Sequence, residues 1–286
     1  LAGFFAFALL LALGFFGSMV QSNSIGQAFS NAFGIPSWLA GAVLVVLAGF
    51  VVLGGTQRLA SVTEKLVPAM AVLYLLGGFA VLAARWRFLP EAFGMIFRYA
   101  FQPNAILGGS VGAAVKAAVS QGAKRGLFAN EAGMGSTPHA HALANVKTPH
   151  QQGCVAMVGV FIGTFCIVTV TALVILVSGV PIPYGHDTGM ALTSQAFSYV
   201  LGSWVNVFLA AALCCFAIAT VLGWGLYGIR CAQYLLGHKA WRPFVLLQAG
   251  AVIAGAVLNT GTVWLLSEIV NGLMVVPNLI ALAALS

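Results

Sequence analysis

The chain has 286 residues, of which 61% are hydrophobic and only 6% charged, against roughly 25% charged in an ordinary soluble domain. This excludes a soluble enzyme and describes an integral membrane protein. The net charge of +7 comes from 12 Lys and Arg held in short gaps between apolar runs, the distribution of a polytopic membrane chain rather than of a nucleic-acid binder.

Mean hydropathy is +1.02 with no shift in composition along the chain, so residues 1–286 read as a single transmembrane domain. Leu1 lies already inside an apolar run with no basic leader, and Ser286 ends another. The domain is therefore expected to be incomplete at its N-terminus and at its C-terminus. The five cysteines sit in or beside apolar segments without metal-type spacing and are read as small hydrophobes.

A helix needs about 20 mainly apolar residues to cross the hydrocarbon core. Eight such runs occur, at 1 to 20, 38 to 54, 64 to 84, 104 to 122, 152 to 180, 204 to 228, 243 to 259 and 263 to 284. The first ends in the polar residues Gln21, Asn23 and Ser24. The third carries Pro68 and the last Pro277, both acceptable as kinks. The fourth, "NAILGGSVGAAVKAAVSQGA", holds Gly108, Gly109, Gly112 and Lys116 and almost no large side chain. It reads equally as a close-packing seam, with Gly108 and Gly112 as a G-x-x-x-G pair, or as a broken helix whose freed backbone groups line a cavity.

With residues 1 to 20 running outward, the inner gaps hold Arg58, Lys65, Lys124, Arg125, Lys147, Arg230, Lys239 and Arg242. The outer gaps 21 to 37, 181 to 203 and 260 to 262 hold no Lys or Arg. The gap 85 to 103 is the exception, with Arg85, Arg87 and Arg98.

The stretch "KRGLFANEAGMGSTPHAHA", Lys124 to Ala142, invites an enzyme reading. A metalloenzyme built on His139, His141 and Glu131 is the less favoured alternative, because H-x-H suits a strand whereas a helical site wants i, i+4 spacing. A hydrolase reading of Ser136 fails for want of a G-x-S-x-G elbow and a nearby Asp. No catalytic residue is assigned. Buried polar groups within spans need partners, and Thr164, Thr220, Glu268 and Asn271 are either interhelical glue or contacts for a polar solute. Thr220 stands in "FAIATVLGWGLYG", where glycines thin one flank and Trp224 and Tyr227 supply bulk. Glu268, a few residues into its span, is expected near the membrane surface.

The segment Arg125 to Ala142 closely resembles the inner-loop motif R-G-x-F-S-N-E-A-G-x-G-S-x-P-x-A-H-A of the alanine or glycine:cation symporter family. "MVQSNSIGQAF" at 19 to 29, "EKLVPAMAVLYL" at 64 to 75, "TVLGWGLYG" at 220 to 228 and "IVNGLMVVPNLIAL" at 269 to 282 extend the resemblance over nearly the whole chain. It implies an all-α, polytopic membrane helix bundle of the inverted-repeat leucine-transporter type. The eight runs then stand as core helices three to ten, with 104 to 122 as the discontinuous sixth. It implies cation-coupled symport of alanine or glycine in the plasma membrane, with sodium as the coupling ion, no further cofactor, and the lipid bilayer and no nucleic acid as surroundings. The substrate contacts implied are Gln21, Ser24, Gly108, Gly109, Gly112 and Trp224, with Thr220 on sodium. Asn130, Glu131, Gly133, Gly135 and Pro138 are expected to form an inner gate or hinge, Glu131 pairing with Lys124 or Arg125. The chain departs from the family's usual pattern at Ala129, Gly163, Ala219 and Ile229. Without a hydroxyl at Ala219, a proton-coupled or transport-inactive relative is the alternative.

Overall fold

A computed structural model describes residues 1–101, 111–182 and 190–285. The described residues form helices and connecting turns, with no strand among them. In chain order the helices are α1 (Ala2–Phe33), α2 (Ser37–Leu53), α3 (Gly55–Ala84), α4 (Leu89–Phe101), α5 (Val111–Asn130), the short α6 (Pro138–His141), α7 (Pro149–Ser178), α8 (Met190–Leu201), α9 (Val205–Leu236), α10 (Trp241–Val257) and α11 (Thr260–Leu285).

Local chemistry sets the ends of these helices. α1 stops at Gly34, whose φ of +66° suits a residue without Cβ, and the Gly34 N–H donates to Ser30 O at 2.9 Å. α7 begins at Thr148, whose Oγ1 accepts the Gln151 N–H at 3.4 Å, with Pro149 at the first helical position, where its missing N–H costs nothing.

Two helices are widened to π geometry, α1 over Leu10–Gly17 and α7 over Ile162–Val168. A π turn displaces carbonyls from the usual ladder. Each stretch is followed by a hydroxyl that donates five residues back, Ser18 Oγ to Leu13 O at 3.3 Å and Thr169 Oγ1 to Thr164 O at 3.2 Å.

Among the described residues six helical stretches are long and apolar enough to cross a membrane: Ala2–Phe33, Ser61–Ala84, Pro149–Ser178, Val205–Leu236, His238–Val257 and Thr260–Leu285. Ser37–Leu53 is a shorter apolar helix, and α5 stands where the glycine-rich run was expected. Large apolar side chains such as Phe50, Leu76, Phe165, Leu246 and Val276 are exposed on the bundle's outside, as lipid-facing surfaces require.

The two larger buried clusters among the described residues organise the interior. One gathers Leu9 and Leu13 of α1, Leu44 of α2, Leu222 and Trp224 of α9, Val252 of α10 and Met274 of α11. The other gathers Tyr74 and Val81 of α3, Val174 of α7, Phe197 of α8, and Val205 and Leu209 of α9. Helix α9 belongs to both, its start packed in the second and its stretch from Ala217 to Cys231 in the first.

The structure extends the sequence reading in two places. The first span does not end at Gln21 but continues to Phe33, because its polar residues find partners on α10 and α11. Asn23 Nδ2 donates to Gly255 O at 2.9 Å and Leu258 O at 2.8 Å, closing the last turn of α10. Asn23 Oδ1 accepts from Thr260 Oγ1 at 3.0 Å, and Gln27 bonds both Asn23 and Thr260. The gaps 85 to 103 and 181 to 203 also contain helices, α4 and α8. The unwinding expected over 104 to 122 does not reach its second half, which is regular helix from Val111 onward. Gly112 lies in that helix, and Gly108 and Gly109 lie outside the described residues.

Candidate functional site

α1 and α9 run antiparallel in close contact, and small residues set their register. A Cβ on Gly14 would strike the Phe244 ring and also come within 3.8 Å of the Gly228 backbone, while one on Gly17 would strike the Trp224 ring. With 14 opposite 228 and 17 opposite 224, Gln21 stands level with Thr220, one turn further along each helix.

Their side chains differ in how far they are committed. Thr220 Oγ1 donates to Phe216 O at 2.9 Å within its own helix, and Ser24 Oγ to Val20 O at 3.0 Å within its own. Gln21 is half-buried and makes no hydrogen bond among the described residues. Trp224 is 4% exposed, and its indole N–H is taken by Glu131.

The elbow after α5 supplies that carboxylate. Asn130 Oδ1 accepts the Ala132 N–H at 3.2 Å, and Glu131 adopts φ +59°, a left-handed backbone that is strained for any residue with a Cβ. The turn closes with Met134 N–H and Gly135 N–H donating to Glu131 O at 3.1 and 3.0 Å. Gly135 is required twice over, since its φ is +77° and a Cβ there would collide with Asn278. Asn278 of α11 holds the elbow by donating to Ala132 O at 3.2 Å and Gly133 O at 3.0 Å. Pro138 then opens α6.

The Glu131 carboxylate is held at both oxygens. Oε1 accepts from Trp224 Nε1 at 2.5 Å, and Oε2 accepts from the fully buried Ser136 hydroxyl at 2.6 Å. Burial pushes its pKa above the ordinary carboxylate value, and the hydrogen bonds from Ser136 and Trp224 oppose that shift. Phe128 packs against Trp224, ring centres 5.7 Å apart, so the end of α5 covers the same aromatic.

The expected pairing of Glu131 with Lys124 or Arg125 is not the one formed. Both cations turn to Glu268 of α11, with Arg125 at 3.0 Å and Lys124 at 3.5 Å. The Arg125 guanidinium also lies 4.2 Å from the centre of the Trp264 ring. An exposed cation gains more from a partly exposed carboxylate than from following Glu131 into a dry site.

The histidines engage separate partners. His139 Nδ1 meets Ser136 O at 3.1 Å, which makes that nitrogen the donor and leaves Nε2 to accept from Cys231 Sγ at 3.6 Å. His141 Nδ1 accepts from Gln152 Nε2 at 2.6 Å. Among the described residues no group of three or more His, Cys, Asp or Glu could hold a metal.

Sequence reasoning missed Gln248. It is 6% exposed and donates to Ser18 Oγ at 3.1 Å and to Val221 O at 3.2 Å, tying α10 to both helices of the seam. A lone amide within the apolar run "FVLLQAGAV" was the available signal. A cavity of about 1080 Å³ lies elsewhere, between the elbow and α7, with Asn130, Pro138, His141, Gln152 and Gly163 among its lining. It does not include Gln21, Thr220 or Trp224.

The described residues form a polytopic membrane helix bundle with polar side chains buried on its internal faces. The sodium:alanine symporter family model matches residues 1–286, and the chain belongs to that family. It is 36% identical to an uncharacterized transporter of Haemophilus influenzae, over 100% of this chain and 63% of that protein. It is 37% identical to a sodium/alanine symporter of Methanococcus maripaludis, over 98% of this chain and 62% of that one. A sodium/proton-dependent alanine carrier of Bacillus sp. strain PS3 is 35% identical over 97% of this chain and 65% of its own. The chain thus spans about three-fifths of the length of the curated relatives it matches. These are transporters, not enzymes.

Proposed function

We propose that the protein is a secondary carrier that couples entry of sodium to symport of a small neutral amino acid, alanine or glycine, by alternating access in the plasma membrane. What supports this reading is the register of the α1–α9 seam, with Gly17 against Trp224, which by helix geometry puts the uncommitted Gln21 amide opposite Thr220. A zwitterion needs donors for its carboxylate and oxygens for its ammonium, both stronger in a water-poor site. Gln21 and Ser24 supply such groups, and Trp224 supplies an apolar wall. The remaining donors are the backbone about Gly108, Gly109 and Gly112. Thr220 is the hydroxyl offered to sodium. Asn130, Glu131, Gly133, Gly135 and Pro138 form the inner hinge, which must release Trp224 for the inner side to open.

Uptake of labelled alanine and glycine into proteoliposomes tests this, with an inward sodium gradient and without one. Accumulation that requires the gradient is expected. Accumulation driven equally by a proton gradient in sodium-free buffer transfers the coupling to protons, the second reading, which Ala219 beside Thr220 favours by withholding a second hydroxyl. Absence of uptake under either gradient overturns the proposal.

A further inference from the structure

The gap between α3 and α5 is where the loop charges contradict the expected topology, since Arg85, Arg87 and Arg98 lie on the side whose other gaps lack Lys and Arg. The structure shows what these arginines are attached to. Arg85 caps α3, Trp86–Phe88 form a single 3-10 turn, and α4 follows. The thirteen described residues of α4 rise about 20 Å, less than a hydrocarbon core of about 30 Å.

Its faces are distinct. Ala92 is buried, and Leu89 and Met95 pack partly buried in the same cluster with α7, α8 and α9. Phe93, Ile96 and Phe97 are 43%, 41% and 65% exposed. Glu91 and Arg98 are also exposed. Just ahead of the helix, Trp86 is 63% exposed between two arginines. The Arg85 guanidinium lies 5.5 Å from the Phe88 ring centre and 5.9 Å from that of Tyr199, and the Arg87 guanidinium lies 5.8 Å from Trp86. Among the described residues none of the three arginines is in an ion pair, and Glu91 is the one carboxylate between 85 and 101.

We infer that this surface seats on the headgroups of an anionic bilayer, with Phe93, Ile96 and Phe97 in the acyl boundary and Arg85, Arg87 and Arg98 on lipid phosphates. An exposed apolar face rimmed by cations suits that layer. Tryptophan prefers the same depth. Guanidinium forks match phosphate oxygens in pairs, which an ammonium does not. The breach of the charge rule then has a physical cause, because these arginines anchor the bundle at the interface instead of setting its orientation. This holds whichever solute the seam carries.

The test uses the full chain in phosphatidylcholine vesicles doped with brominated phosphatidylglycerol or, in parallel, brominated phosphatidylcholine. Quenching of Trp86 is isolated as the difference from W86F. Trp86 should be quenched at lower mole fraction by the anionic lipid. Its apparent affinity for that lipid should fall roughly fivefold with R87Q and again with R98Q, about 1 kcal/mol per arginine, while quenching by phosphatidylcholine is unchanged. Both arginines are exposed, and the phosphatidylcholine arm controls for loss of the Arg87 contact with the Trp86 ring. Equal quenching by the two lipids, or a preference that survives R87Q/R98Q, overturns the inference. Absence of quenching by either lipid also overturns it and points to a second protein copy on this face.

Discussion

Glu131 concentrates several costs in one residue. Its backbone is left-handed, its carboxyl is buried, and its two hydrogen-bond donors come from a neighbouring turn and a distant helix. Such a residue persists only where its surroundings over-determine it. In the Glu131→Gln variant, substrate affinity should stay within a few-fold of wild type while transport slows, read as binding against initial uptake rate. Direct substrate contact with the carboxylate would instead lower affinity sharply. The pH dependence has a definite sign. Because burial raises the folded pKa above the unfolded one, Glu131 favours the fold below its unfolded pKa, and that contribution is lost as pH rises through the folded pKa. Melting temperatures across that range should therefore shift in favour of Glu131→Gln as pH rises. A second residue test concerns Thr220→Val. Its hydroxyl already bonds Phe216 O, so removing it should cost only about 0.6 kcal/mol of stability. If Thr220 ligates sodium, the sodium activation curve of uptake should move roughly tenfold or more upward, as loss of a charge-assisted contact of about 1.5–3 kcal/mol implies.

At the scale of elements, packing between α1 and α10 depends on the absence of a side chain. A Cβ on Gly255 would meet the Met19 backbone and the Ser22 hydroxyl, whereas one on Gly250 in the same helix meets nothing. Gly255→Ala should lower stability by about 1–3 kcal/mol through overpacking. Gly250→Ala should be neutral or stabilising by up to about 1 kcal/mol, the helix-propensity gain. Thermal unfolding in detergent compares them directly. The tie between α5 and α11 is weaker. Glu268 is 22% exposed and its partners Lys124 and Arg125 are 48% and 43% exposed, so solvent screens the pair and Glu268→Gln should cost no more than about 1 kcal/mol. That difference should vanish at high salt.

Most helices were legible as apolar runs, because lipid imposes length and composition on whatever crosses it. What hydropathy could not show was decided by pairing across the fold. The tail of α1 reads as a loop until Asn23 meets the carbonyls of Gly255 and Leu258. The sequence reading paired Glu131 with Lys124 or Arg125 and placed Glu268 only near the membrane surface, because neither the burial of Glu131 nor the approach of α11 is written in local sequence. Of the proposed site, Thr220 and Trp224 were visible as a hydroxyl and an aromatic among glycines, while the part played by Gln248 became visible only against Ser18 and Val221.

For the whole molecule, the helix shared by the two clusters has a mechanical consequence. Alternating access requires one group of helices to tilt against another, yet α9 is about 48 Å of continuous helix whose membership changes between Phe216 and Ala217. Any such tilt must be absorbed along that rod. The Thr220 hydroxyl, drawing on the Phe216 carbonyl at the changeover, is the kind of back-bond that bends helices. On the proposed function, the hydroxyl offered to sodium lies at the changeover between the two clusters, which would couple occupancy of that site to flexing of α9.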